Sequence, residues 1–130
     1  MLLLLDTSVA ILLRDGDPAI SIRIAALERL PILSVLTVVE LEGGVADSRP
    51  GRDTRRKGVD TMLELLHVLP FGAAEAARYG KIVQDLGFSR PKIIDRMIAA
   101  QALSVGAAVA TLNLRDFKGI AGLQLEDWSA

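Results

Sequence analysis

Leu2-Leu3-Leu4-Leu5-Asp6-Thr7-Ser8-Val9-Ala10-Ile11-Leu12-Leu13 decides the fold. Four leucines in a row, without polar alternation, read as a strand covered on both faces, which is how strands look in a parallel sheet sandwiched between helices. The polar step that follows supplies a helix start, with Thr7 or Ser8 as the N-cap and residues 9–13 as apolar helix. The same alternation continues down the chain. Pro18 opens a helix whose Ile20, Ile24, Leu27 and Leu30 recur at helical spacing, and Pro31 ends it. Residues 32–35 predict a second strand, 37–47 and 54–66 two helices, and 67–71 a third strand. A helix over 73–86 stopped by Gly87, a helix over 92–105, a strand over 107–111 and a short last strand over 123–125 complete the series, with Trp128 closing the core. The expected fold is α/β, a central parallel sheet flanked by helices, in a single domain over residues 1–130.

Composition narrows the chemistry. With 130 residues the chain makes one hydrophobic core, consistent with 51% hydrophobic content. Cysteine is absent, which excludes disulfide scaffolds, thiolate metal sites and thiol nucleophiles, and His67 is the single histidine, which excludes mechanisms that need two imidazoles. A formal net charge of −1 leaves no globally basic surface, so a polyanionic partner must be met by a local patch. The apolar start reaches Asp6 too early for a signal peptide, and the expected location is the cytoplasm. Residues 97–114 form an uncharged run of 18, yet Gln101, Ser104, Gly106, Thr111 and Asn113 lie within it, and it reads as a buried helix turning at Gly106 into a buried strand.

Three acids sit in apolar company where carboxylates are rare. Asp6 ends the leucine run, Glu40 lies between Val38-Val39 and Leu41, and Asp95 lies between Ile93-Ile94 and a run from Met97 to Ala100. Each has a structural reading too: Asp6 as a turn or cap residue, Thr37-Val38-Val39-Glu40 as a capping box, and Asp95 as an acid placed near a helix N-terminus. Two of the three follow apolar segments that deliver them to the carboxyl edge of the sheet, where open α/β folds bind ligands. Thr111-Leu112-Asn113-Leu114-Arg115-Asp116-Phe117 adds Asn113 and Asp116 just after the fourth strand, with Phe117 expected to pin that turn into the core. Carboxylates converging at one edge repel each other. A hard divalent cation removes that cost, and an oxygen-only donor set favours Mg²⁺ or Mn²⁺ over zinc. Such a site suits metal-assisted phosphodiester hydrolysis.

The ordered set Leu4-Leu5-Asp6-Thr7-Ser8, Leu36-Thr37-Val38-Val39-Glu40-Leu41, Asp95-Arg96-Met97-Ile98-Ala99-Ala100 and Thr111 to Phe117 resembles the PIN-domain ribonucleases, and most closely the VapC-type toxins of bacterial toxin–antitoxin pairs. The resemblance runs over essentially the whole chain. It implies a PIN-like three-layer sandwich, a Mg²⁺- or Mn²⁺-dependent endoribonuclease, a cognate VapB-type antitoxin and a homodimer. Carried over position by position, the family's acids fall on Asp6, Glu40, Asp95 and Asp116, with Asp6 and Asp95 as metal ligands and Asn113 competing with Asp116 for the fourth place. Thr7 and Ser8 match the small hydroxyl positions that follow the first acid, and the resemblance implies that they act behind the residues that bind the metal. The segment before Asp95, Phe88 to Ile94, lacks the polar Ser, Thr or Asn that the family often carries just ahead of its third acid.

Basic residues fall in two groups. Arg90, Lys92, Arg96 and Arg115 neighbour the acids in sequence and are candidates to contact RNA phosphate or an antitoxin carboxylate. Arg49, Arg52, Arg55, Arg56 and Lys57 are either a phosphate grip or a solvated segment interleaved with Asp47, Asp53 and Asp60. Glu42 is expected on a different helix face from Glu40, exposed. Apolar helix faces at 11–13 and 63–66 are core, or a dimer or antitoxin surface. The alternatives are a catalytically silent PIN-fold binding module and a receiver-like signalling domain. The receiver reading lacks a phospho-accepting Asp, since the second strand runs into Leu36-Thr37 and the third into Gly72.

Overall fold

A computed structural model describes residues 1–129. Five strands, β1 (Leu3–Leu5), β2 (Ile32–Ser34), β3 (Val68–Leu69), β4 (Ala108–Thr111) and β5 (Gln124–Asp127), form one sheet in the order β3-β2-β1-β4-β5. Every pairing is parallel. Six helices connect them: α1 (Thr7–Arg14), α2 (Pro18–Ala25), α3 (Val35–Ala46), α4 (Arg52–Leu65), α5 (Ala73–Leu86) and α6 (Ile93–Val105). Short 3₁₀ turns at Arg90–Lys92 and Leu114–Phe117 precede α6 and follow β4.

The strand pleat sorts the core into two layers. Leu3, Leu5, Leu33, Ala108 and Ala110 point to one face and pack against Val9, Ile20, Leu41, Val59 and Met62 of α1 to α4, with Trp128 among them. Leu4, Ile32 and Val109 point to the other face, against Ile82 of α5, Ile98 and Ala102 of α6, and Phe117. This is the three-layer sandwich expected from the unalternated strands. Phe117 is fully enclosed and pins the turn after β4, and Trp128 is buried, its backbone N–H donating to Thr111 O at 2.8 Å.

The uncharged run over 97–114 behaves as predicted, breaking at Gly106, whose φ of 70° ends α6 in a left-handed turn before β4. Among the described residues no helix is long and apolar enough to cross a membrane. Helices α1 and α4 cross in close contact at Gly58, where a Cβ would lie 2.4 Å from the Arg14 carbonyl oxygen.

Two helix starts differ from the sequence expectation. The cap of α1 is Asp6, the structural reading offered for that acid, rather than Thr7 or Ser8; it accepts from Val9 N at 3.0 Å. Ser34 caps α3 by accepting from Leu36 N at 3.0 Å, so β2 passes straight into the helix and Thr37 lies inside its first turn. The capping box expected from Thr37 and Glu40 therefore does not form. A Ser at a strand end offers the same side-chain acceptor as Thr37 three residues earlier, and the completely buried position of Thr37 leaves no role for it at a helix terminus.

Candidate active site

The strand order reverses at β1: β2 and β3 extend the sheet to one side, β4 and β5 to the other. The crevice at the carboxyl ends of β1 and β4 is the switch point where open α/β sheets hold ligands. Receiver-type sheets follow the order 2-1-3-4-5, so the observed order removes the receiver-like reading.

Asp6 stands at this crevice, directly after β1, and only 3% exposed. Its backbone N–H donates to Ala110 O of β4 at 3.0 Å. Its carboxylate is satisfied from its own helix, by Val9 N and by Ser8 Oγ at 2.6 Å. Ser8 Oγ also accepts from Leu112 N at 3.2 Å, joining the first acid to the chain leaving β4. These bonds keep a buried carboxylate oriented.

Glu40 comes from the second turn of α3. Its Oε1 accepts from Thr7 Oγ1 at 2.6 Å, and Thr7 Oγ1 stands 2.9 Å from Thr37 Oγ1. Thr7 thus supports Glu40, and Thr37 joins the site from the interior. Its part escaped the sequence reading, although a threonine three residues before an embedded acid on one helix places both side chains on the same face.

Asp95 lies in the first turn of α6 and is half-buried. Its carboxyl is pushed up to about 7, mainly by burial and further by the negative charges of Asp116, Asp6 and Glu40, with Lys92 opposing. The four expected acids therefore share one electrostatic neighbourhood. Asp116 belongs to the 3₁₀ turn that Phe117 anchors, whereas exposed Asn113 caps that turn by accepting from Arg115 N at 3.2 Å. Of the two candidates for the fourth place, Asp116 is the charged neighbour of Asp95.

Among the described residues no three acidic side chains come close enough to enclose a bare ion. The donor set fits a hydrated hard cation, because Mg²⁺ keeps several waters and takes one or two carboxylates directly. The mutual repulsion that raises the Asp95 carboxyl is the penalty such a cation relieves.

The basic residues divide differently from expectation. Arg96 is buried at 6% exposure and donates from Nη1 to Gly87 O at 2.6 Å, so it braces the loop before α6 and is not available to a phosphate or an antitoxin. Its place on the inner face of α6, among Ile98, Ala99 and Ala100, dictates this. Arg90 and Arg115 are exposed, and Lys92 bears on Asp95. In the 49–57 segment, Arg55 donates to the carbonyls of Gly44, Asp47, Arg49 and Pro50 and so holds the loop shut. Arg56 clamps Glu42 at 2.6 Å and Asp60 at 2.7 Å. Those hydrogen bonds hold the Glu42 carboxyl below the ordinary range, so Glu42 is an ion-paired residue rather than a free exposed one, on a face away from the acids. His67 is exposed at the far edge of the sheet. The apolar helix faces meet in a cleft of about 410 Å³ between α1, α2 and α4, where Leu13, Ile24, Met62, Leu65 and Leu66 line it and none of the four acids does.

The profile of the PIN domain family matches residues 3–123. The chain belongs to the PIN-domain family. This PIN domain is 33% identical over 129 residues to Ribonuclease VapC1 of Rickettsia felis, a match covering 95% of this chain and 93% of that one. It is 31% identical over 130 residues to the tRNA(fMet)-specific endonuclease VapC of Shigella flexneri, covering 97% of each. Among solved structures it superposes on a chain of the DNA-bound VapBC complex from Salmonella typhimurium with a TM-score of 0.84 at 30% identity, covering 98% of this PIN domain and 99% of that chain.

Proposed function

We propose that this PIN domain is the toxin of a toxin–antitoxin pair, an endoribonuclease that hydrolyses RNA phosphodiester bonds with Mg²⁺ or Mn²⁺. The observation that carries the reading is Asp95, half-buried at the switch-point edge with three further carboxylates acting on it. The relatives named as VapC ribonucleases support the same reaction. The 130 residues act as one domain, in keeping with a family match over 3–123.

Asp6 and Asp95 would hold the cation, and Glu40 and Asp116 would complete the acidic cluster around it. A divalent cation at this site supplies Lewis-acid charge, which eases ionisation of the attacking water and offsets charge growing on the scissile phosphate. Ser8 and Thr7 keep the carboxylates of Asp6 and Glu40 aimed, through bonds of 2.6 Å each. Arg90, Lys92 and Arg115 draw the RNA backbone toward the cluster and make the binding salt-dependent. The partner is a VapB-type antitoxin, as in the VapBC complexes among the structural relatives, and the cleft between α1, α2 and α4 offers it apolar surface. The functional unit is a homodimer in the cytoplasm.

The test is incubation of the purified, partner-free protein with total cellular RNA, including transfer RNA, in Mg²⁺, in Mn²⁺ and in EDTA, beside an Asp6→Asn variant. Discrete fragments that require both metal and Asp6 support the reading. A folded, metal-loaded protein that leaves every RNA intact replaces it with a catalytically silent binding module.

A further inference from the structure

We infer that Thr37 is a positioning residue for this reaction, the buried end of a hydroxyl relay that aims Glu40. The inference rests on the nuclease reading above and adds a residue to it. Thr37 Oγ1 lies inside the protein, on a fully enclosed side chain, while Glu40 at the other end of the relay is exposed. Thr7 stands between them, 2.9 Å from Thr37 Oγ1 and 2.6 Å from Glu40 Oε1.

Proton counting gives the relay a direction. A threonine hydroxyl has one proton to donate and lone pairs to accept with, and an ionised carboxylate only accepts. The Thr7 proton is committed to Glu40, in a bond short enough to be charge-assisted. In the contact with Thr7, Thr37 must therefore be the donor. The Thr37 hydroxyl thereby fixes the rotor of Thr7, and Thr7 fixes the carboxylate.

Thr37 is well placed for this. It lies one helical turn before Glu40 on the same face of α3, and the Ser34 cap has freed it from any duty at the helix start. Thr7 begins α1 immediately after Asp6, so the relay sets Glu40 in α3 relative to the acid at the end of β1.

The experiment is a double-mutant cycle. Thr37→Val keeps the volume and removes the donor; it is expected to lower kcat about 10-fold, leaving KM and the thermal midpoint near wild type, and Thr37→Ser is expected to restore most of the loss. Because Thr37 acts only through Thr7, Thr7→Val/Thr37→Val is expected to be no slower than Thr7→Val alone. Independent losses that multiply in the double variant, wild-type turnover in Thr37→Val, or failure of Thr37→Ser to rescue would each overturn the relay. Wild type and Glu40→Gln are run alongside. If wild type itself cleaves nothing, the nuclease reading fails, and crystal structures of wild type and Thr37→Val decide the relay: Thr7 and Glu40 parting in the variant supports it, and an unchanged pair refutes it.

Discussion

The hydroxyl of Ser8 donates to the carboxylate of Asp6 at 2.6 Å while accepting the Leu112 N–H at 3.2 Å, so one side chain fastens the first acid of the site to the chain segment that carries the fourth. Ser8→Ala leaves the Leu112 N–H without that acceptor and one Asp6 oxygen without that donor. We expect a stability loss of about 1–2 kcal/mol together with reduced cleavage, read by chemical denaturation and by RNA turnover. Unchanged stability would mean that water replaces the hydroxyl at no cost.

Asp6 caps α1 and, on the proposed function, also holds the cation, and substitution separates the two roles. Asp6→Asn retains an oxygen that can accept from Val9 N, so the cap is expected to survive while cleavage is lost. Asp6→Ala removes the cap as well and is expected to cost about 1 kcal/mol more. Thermal midpoints of the two variants, measured beside their nuclease activity, make the comparison.

The Asp95 carboxyl, raised to about 7 by burial and by the charges of Asp116, Asp6 and Glu40, makes the stability of the metal-free protein depend on pH. In the unfolded chain the same group titrates near ~4. The folded state therefore keeps its proton over a window where the unfolded state has lost it, and this contribution is fully present below about 4 and disappears as pH rises through about 7. In EDTA, the wild-type midpoint is expected to fall between pH 5 and pH 8 more steeply than that of Asp95→Asn. If Asp95 holds the cation as proposed, added Mg²⁺ is expected to raise the wild-type midpoint more at pH 8 than at pH 5, because only the ionised carboxylate binds it. Equal slopes in wild type and Asp95→Asn would remove Asp95 as the source.

Neighbouring arginines are expected to fail in different ways. Arg90→Ala and Arg115→Ala remove exposed cations and are expected to raise KM for RNA and flatten its salt dependence, with the fold intact. Arg96→Ala removes a buried guanidinium and its 2.6 Å bond to Gly87 O, and is expected to lower the thermal midpoint by several degrees. A stable Arg96→Ala protein with weakened RNA binding would return Arg96 to the substrate surface.

The centre of the sheet was legible because β1, β2 and β4 are buried on both faces and carry no alternation to misread, whereas β5 at the edge is mostly exposed. Asp6 and Asp95 stood out for the same reason: a carboxylate among leucines and isoleucines needs a cause. What escaped was decided by tertiary packing. Ser34 and Thr37 are equally good caps by type, and the choice between them follows from where β2 ends against β1, with Leu33 opposite Leu5. Arg96 and Arg90 are both basic residues near Asp95 in sequence. Only the packing of α6 shows that one faces inward and the other outward.

The four acids come from the end of β1, from α3, from α6 and from the turn after β4, so the cluster draws on the chain from residue 6 to residue 116. β1 is the central strand, and one of its flanks is filled by β4, which follows all six helices in the chain. A chain interrupted during synthesis carries Asp6, Glu40 and Asp95 as scattered charges with no shared site. The site therefore exists only once the chain has been made through residue 116 and β4 has paired with β1.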